Sequence, residues 1–116
     1  WPATLDKLSA LKPRALVPGR GPALLTPAAS QKAIRYTRDF VRALYASARK
    51  GVAQGKSLKE VYRATRRRLD PVYREFPIYG HCMPFDVSGA YDEASGVKHP
   101  RIWTAKRDRD MWKAIA

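Results

Sequence analysis

A mainly α fold is predicted for this chain: a helical hairpin, shorter helices on either side of it, and one short strand, Ala15–Val17. Three observations predict it. Apolar residues recur at helical spacing along two long segments after residue 26. A capping box, Ser57-Leu58-Lys59-Glu60, marks the start of the second segment. The connection Gln54-Gly55-Lys56 is so short that the two helices must pack antiparallel.

Taken in order, residues 1–11 read as a short helix, with Thr4 as its cap, Asp6 in its first turn and Leu5, Leu8 and Leu11 on one face. Lys12-Pro13 ends it. Ala15-Leu16-Val17 then reads as a buried strand that stops at Pro18 and enters a Gly-X-Gly turn, Pro18-Gly19-Arg20-Gly21-Pro22. Its end delivers Arg20 at a sheet edge, the place where open α/β architectures bind ligands. A lone strand leaves its backbone groups unpaired, so this one requires a symmetry mate, a missing domain or an irregular conformation.

Thr26-Pro27 is an N-cap followed by proline at the first helical position. Ile34, Val41, Leu44, Tyr45, Ala48 and Val52 follow helical spacing, Thr37 fills the stripe and Phe40 broadens it. Gly51 or Gly55 is expected to end this helix. The next one presents Leu58, Val61, Thr65, Leu69 and Val72 on one face, and Asp70-Pro71 is expected to break or kink it. Phe76–Gly80 is expected to be extended or loop, and Gly96–Pro100 to be loop. Thr104 caps a last helix, with Trp103, Met111, Trp112 and Ile115, and also Trp1, assigned to packing.

Composition narrows the class further. A formal charge of +13 on 116 residues points to polyanionic partners, an acidic substrate or an acidic surface in a larger assembly. No apolar run approaches the ~20 residues that span a bilayer, so no membrane partner is expected. One cysteine excludes an internal disulfide and favours a reducing compartment, such as the cytoplasm.

Three groups of residues carry candidate chemistry. Arg20 offers the planar fork that suits a carboxylate or phosphate. His81, Cys82, Asp86, Asp92 and Glu93 are zinc-ligand types, but adjacent His-Cys does not imitate the spaced pairs of structural zinc sites. The neighbours His81 and Cys82 point apart in extended structure, which argues against a cysteine nucleophile. From Gln31 to Glu75 there are thirteen Lys and Arg against four Asp and Glu, with Arg66-Arg67-Arg68 the densest cluster and tyrosines interleaved. Such a face can hold the phosphates of a nucleic acid or dock on an acidic protein. No helix-turn-helix, zinc finger or RNA-binding sheet motif accompanies it.

Residues Leu5 to Pro22 also resemble the last core strand of metallo-β-lactamase-fold hydrolases, where a strand ends in a Pro-Gly-His-Gly-Pro-like turn whose histidine is the last metal ligand. Here Arg20 stands in that place, and a guanidinium stays protonated. The stretch His81-Cys82-Met83-Pro84-Phe85-Asp86, followed by Tyr91-Asp92-Glu93, looks like the C-terminal signature of one hydrolase subgroup. The family's His-X-His-X-Asp-His cluster is absent, and no histidine precedes His81. The resemblance therefore implies the C-terminal part of a metal-dependent hydrolase of the glyoxalase II-like branch, acting on an ester, thioester or lactam-type carbonyl. Zinc would be held by an N-terminal catalytic domain of the same protein, and none by this part. Residues 1–25 would close the α/β/β/α sandwich, and residues 26–116 would form a helical appendage that shapes the substrate pocket. Arg20, His81, Asp86 and Tyr91 are the residues expected to meet an anionic small-molecule substrate, with no catalytic residue among them. The alternative is a basic helical module that binds nucleic acid or an acidic protein through Arg66, Arg67 and Arg68. A third reading is a homodimer formed through the tryptophan-bearing tail.

Overall fold

The computed structural model describes residues 1–116. Five helices hold most of them: α1 Pro2–Ala10, α2 Pro27–Ala53, α3 Leu58–Tyr73, α4 Tyr79–Ala94 and α5 Ala105–Ile115. The fold is mainly α. The chain divides into two compact units, Trp1–Arg42 and Ala43–Ala116, with α2 running through the boundary.

In the first unit, α1 begins at Pro2 with Trp1 as its cap residue, not at Thr4, and it buries no residue. Polar contacts dock it on α2. Ser9 Oγ donates to Gln31 Oε1 at 2.7 Å, and Gln31 Nε2 donates to the Ser9 carbonyl at 2.9 Å. Asp6 accepts from Arg38 at 3.0 Å and Arg42 at 3.2 Å, two arginines one turn apart. The expected buried strand Ala15–Val17 is absent as such. A single antiparallel bridge joins Leu16 to Leu24, and Ala15 and Val17 are exposed. The partner the strand needed comes from the chain's own turn. Thr26 caps α2 as its sequence predicts, accepting from the Ala29 amide at 3.2 Å. Ser30, Ile34 and Phe40 are the buried residues of this unit.

In the second unit the expected hairpin forms. The side of α2 meets α3 in opposite directions: Ser47 hydrogen-bonds Thr65 at 2.7 Å, and Gly51 lies against Val61. Gly51 does not end α2, which runs on to Ala53. Gly55, at φ +67°, makes the turn. The capping box closes as predicted, with the Ser57 side chain accepting from the Glu60 amide and Glu60 from the Ser57 amide.

Asp70-Pro71 does not break α3, which continues to Tyr73. Proline sits in the last turn, so the helical hydrogen bond it removes is lost only two residues before the helix ends. Val72 falls outside the packed stripe and is 59% exposed. The largest departure is α4. Phe76–Ile78 is a tight turn, and Tyr79 then opens a helix that carries the whole His81–Val87 stretch. Tyr79, Met83, Pro84, Val87 and Ala90 from α4 join Val61, Leu69 and Tyr73 from α3 and Met111 and Ile115 from α5 in one core, and these three helices pack on one another. Thr104 caps α5, accepting from the Arg107 amide at 3.1 Å. The packing assignment fails for Trp1 and Trp112, which are exposed; Trp103 lies at the surface against Phe85, with ring centroids 5.0 Å apart.

Candidate functional site

Arg20 occupies the tip of a loop that the Leu16–Leu24 bridge closes with two hydrogen bonds of 2.8 Å. Gly21 at φ +96° lets the chain reverse there, and Arg20 is exposed. The loop therefore presents one cation on a turn whose base is pinned. A zinc ligand is not what this position offers, because the guanidinium has no lone pair to give.

His81, Asp86 and Tyr91 follow one another at five-residue intervals along α4, so each is turned about 140° from the last. Helical geometry points them in three directions, and they do not converge. His81 is exposed beside Phe85, with ring centroids 5.8 Å apart. Tyr91 donates its hydroxyl to the Lys56 carbonyl at 3.1 Å, which ties α4 to the α2–α3 turn. Asp86 is half-buried, and burial pushes its carboxyl pKa up. It belongs with Tyr45, whose phenol is also pushed up, by burial first and then by a hydrogen bond with Glu93 and the charges of Glu93 and Asp86. No three His, Cys, Asp or Glu side chains lie close enough together to hold a metal ion.

The three arginines of α3 have separate environments. Arg66 Nε donates to Asp70 Oδ1 at 2.6 Å and its Nη1 to the Tyr62 hydroxyl at 3.1 Å, while Tyr79 of α4 donates to the same Asp70 oxygen at 2.7 Å. Burial pushes the Asp70 pKa up, but the bonds from Arg66 and Tyr79 outweigh it and hold the carboxyl below its ordinary value. The same network, with Asp70 foremost, holds Arg66 above its ordinary value. Asp70 thus ties α3 to α4 through Tyr79, and Arg66 holds Asp70 in place. Arg67 and Arg68 are exposed.

A fourth constellation escaped the sequence reading. Asp92, in the last turn of α4, accepts from Arg107 Nη2 at 2.8 Å and from both Nε and Nη2 of Arg101. Arg107 also donates to the Arg101 carbonyl, and its guanidinium sits 3.9 Å from the centroid of the Trp103 ring. A cavity of about 430 Å³ opens beside this cluster, with Leu58, Met111 and Trp103 as apolar wall and Ser88 in its lining. The Ser88 oxygen is buried and has no hydrogen-bond partner. The charges here are largely paired, so the cluster fastens the 101–104 segment and α5 to α4. The only sequence signal was two arginines beyond the Gly96–Pro100 loop, too far from Asp92 in the chain for spacing to reveal them.

No family model matches the chain, and no curated protein matches it either.

Proposed function

We propose that this chain is the C-terminal part of a metal-dependent hydrolase acting on an ester, thioester or lactam-type carbonyl. Residues 1–25 lie along the edge of its core, and the helices from residue 26 onward form an appendage that shapes the substrate pocket. One observation carries the reading. Four large apolar side chains within the first 25 residues are solvent-facing: Trp1 at 76% exposure, Leu11 at 75%, Val17 at 80% and Leu25 at 77%. They flank a two-residue bridge that offers little sheet of its own. Apolar surface concentrated this way is what a segment shows when the rest of its core lies elsewhere. The Pro18–Pro22 turn then stands at the rim, where Arg20 contacts an anionic group of the substrate.

In that protein zinc, held by residues outside this chain, supplies the activated water. The part played by this chain is to bind and orient. The test begins with the native protein from its source cells. A mass about two to three times 13.1 kDa, as a further domain would add, with a His-X-His-X-Asp-His peptide, is the expected result. A native chain of 13.1 kDa overturns the reading. In the longer protein Arg20→Ala raises KM for acidic substrates and leaves neutral ones unaffected; equal kinetics on both would remove Arg20 from the site.

The second reading, a basic module for nucleic acid, draws on the exposure of Arg67 and Arg68. Retention on DNA that falls steeply with salt and disappears in an Arg67→Ala/Arg68→Ala variant is its signature.

A further inference from the structure

A small cleft of about 190 Å³ lies where α2 ends and α3 begins. Ser47, Lys50, Gly51 and Gln54 line it from α2 and the residue just past its end, Lys56 from the connecting turn, and Val61, Ala64 and Arg68 from α3. Its lining contains three cations and no carboxylate. None of the three takes part in the chain's ion pairs, which use other lysines and arginines. Glu60, the nearest acid in sequence to Lys56, makes its hydrogen bonds of 2.9 Å and 2.6 Å to Ser57 in the capping box and feels Lys56 only as a nearby charge.

The walls are fixed before any ligand arrives. Gly55 at φ +67° sets the turn, and the Lys50 and Gly51 carbonyls, which would otherwise repel an anion, accept hydrogen bonds from the Gln54 and Lys56 amides. The Lys56 carbonyl is held by the Tyr91 hydroxyl at 3.1 Å. Gly51 brings α3 close, and Val61 and Ala64 give the cleft an apolar part to its lining. The backbone that carries the three cations is thus set in place, and only their side chains have to be ordered when an anion binds.

We infer that this cleft binds the phosphoryl group of a small phosphate monoester. The choice among anions follows from charge and size. A monoester carries about −1.5 to −2 at neutral pH, and that charge suits three cations outside any ion pair better than the single charge of a carboxylate or a phosphodiester does. Arg68 supplies a fork and the two lysines supply compact point charges. The cleft takes one phosphoryl group, and the rest of the ligand projects outward. This site stands independently of the hydrolase reading.

Titration of the chain with glycerol 3-phosphate, followed by amide NMR, tests it. Saturable shifts are expected at Gly51, Gln54, Gly55 and Lys56, growing as pH rises through the second phosphate ionisation near about 6. Arg68→Ala and Lys56→Ala each weaken binding by about ten-fold or more, while Arg67→Ala, outside the cleft, leaves it unchanged. Arg67 and Arg68 are exposed and Lys56 is half-buried and bonded through its backbone amide and carbonyl, so the variants keep the helical circular dichroism of the parent chain. Equal shifts with acetate or dimethyl phosphate overturn the assignment, as does equal weakening by Arg67→Ala. Displacement of the monoester by a single-stranded oligonucleotide that binds more tightly overturns it in favour of a nucleic-acid surface.

Discussion

At the scale of single residues, Asp86 is where burial and charge conflict. Its carboxyl is half out of water on α4, and burial pushes its pKa up. The folded chain therefore holds a proton on Asp86 more tightly than the unfolded chain does. Stability from this group is complete below the unfolded pKa of about 3.9 and is lost as pH rises through the raised folded value. At neutral pH the ionised carboxylate weakens the fold. Asp86→Asn is accordingly expected to raise Tm at pH 7, with the advantage vanishing near about pH 4. Thermal melts at the two pH values check this; an equal gain at both would assign the effect to packing. Asp70 has the opposite sign. Its lowered pKa means that its contribution is present above the unfolded value and is lost as pH falls through the folded one.

At the scale of elements, the α2–α3 hairpin depends on how closely the two helices approach at Gly51. A Cβ there would stand 2.4 Å from Val61 Cγ2, and Val61 is fully packed, at 1% exposure. Alanine is the better helix former by ~1 kcal/mol, but overpacking a core contact costs ~1–3 kcal/mol. Gly51→Ala should therefore lose on the order of 1 kcal/mol, read as a fall in Tm of several degrees, on the order of 4–8 °C. Adding Val61→Ala relieves the clash, so the double variant loses less than the two single losses together. A stabilised Gly51→Ala would mean that the helices separate more easily than their contact implies. This hairpin was legible in the sequence because caps, stripe and turn all agreed. Helix α4 was not. Gly80, Pro84 and Gly89 interrupt it, and its cap residue Ile78 is left-handed at φ +56° with no side-chain bond to the helix end. Every local signal argued against it, and burial of Tyr79, Met83 and Val87 overrode them. The same limit hid the Asp92 cluster, whose arginines lie 9 and 15 residues away across a loop. Arg20 is legible as an exposed loop cation, but the exposure of Ala15 and Val17 before it is not, because an apolar run does not reveal what covers it.

At the scale of the whole molecule, the two units differ in how much they bury. Ala43–Ala116 has a core drawn from α2, α3, α4 and α5, whereas Trp1–Arg42 buries Ser30, Ile34 and Phe40 and leaves Trp1, Leu11, Val17 and Leu25 in solvent. Local opening follows that difference, because segments with few buried apolar contacts open at low cost. The Leu16 and Leu24 amides, held only by their mutual bridge, should exchange with solvent about 100-fold or more faster than those of Val61, Leu69 and Met83. Hydrogen exchange on this chain measures the contrast directly, and uniform protection would show that the bridge is stabler than its contacts. The hydrolase reading makes the same amides informative in the longer protein. If residues 1–25 line the edge of a core, covering their apolar side chains raises protection at Leu16 and Leu24 toward that of Val61, while α3 and α4 change little. Protection that stays low in the longer protein would separate these residues from any core, and the exposed apolar side chains would then need a different partner.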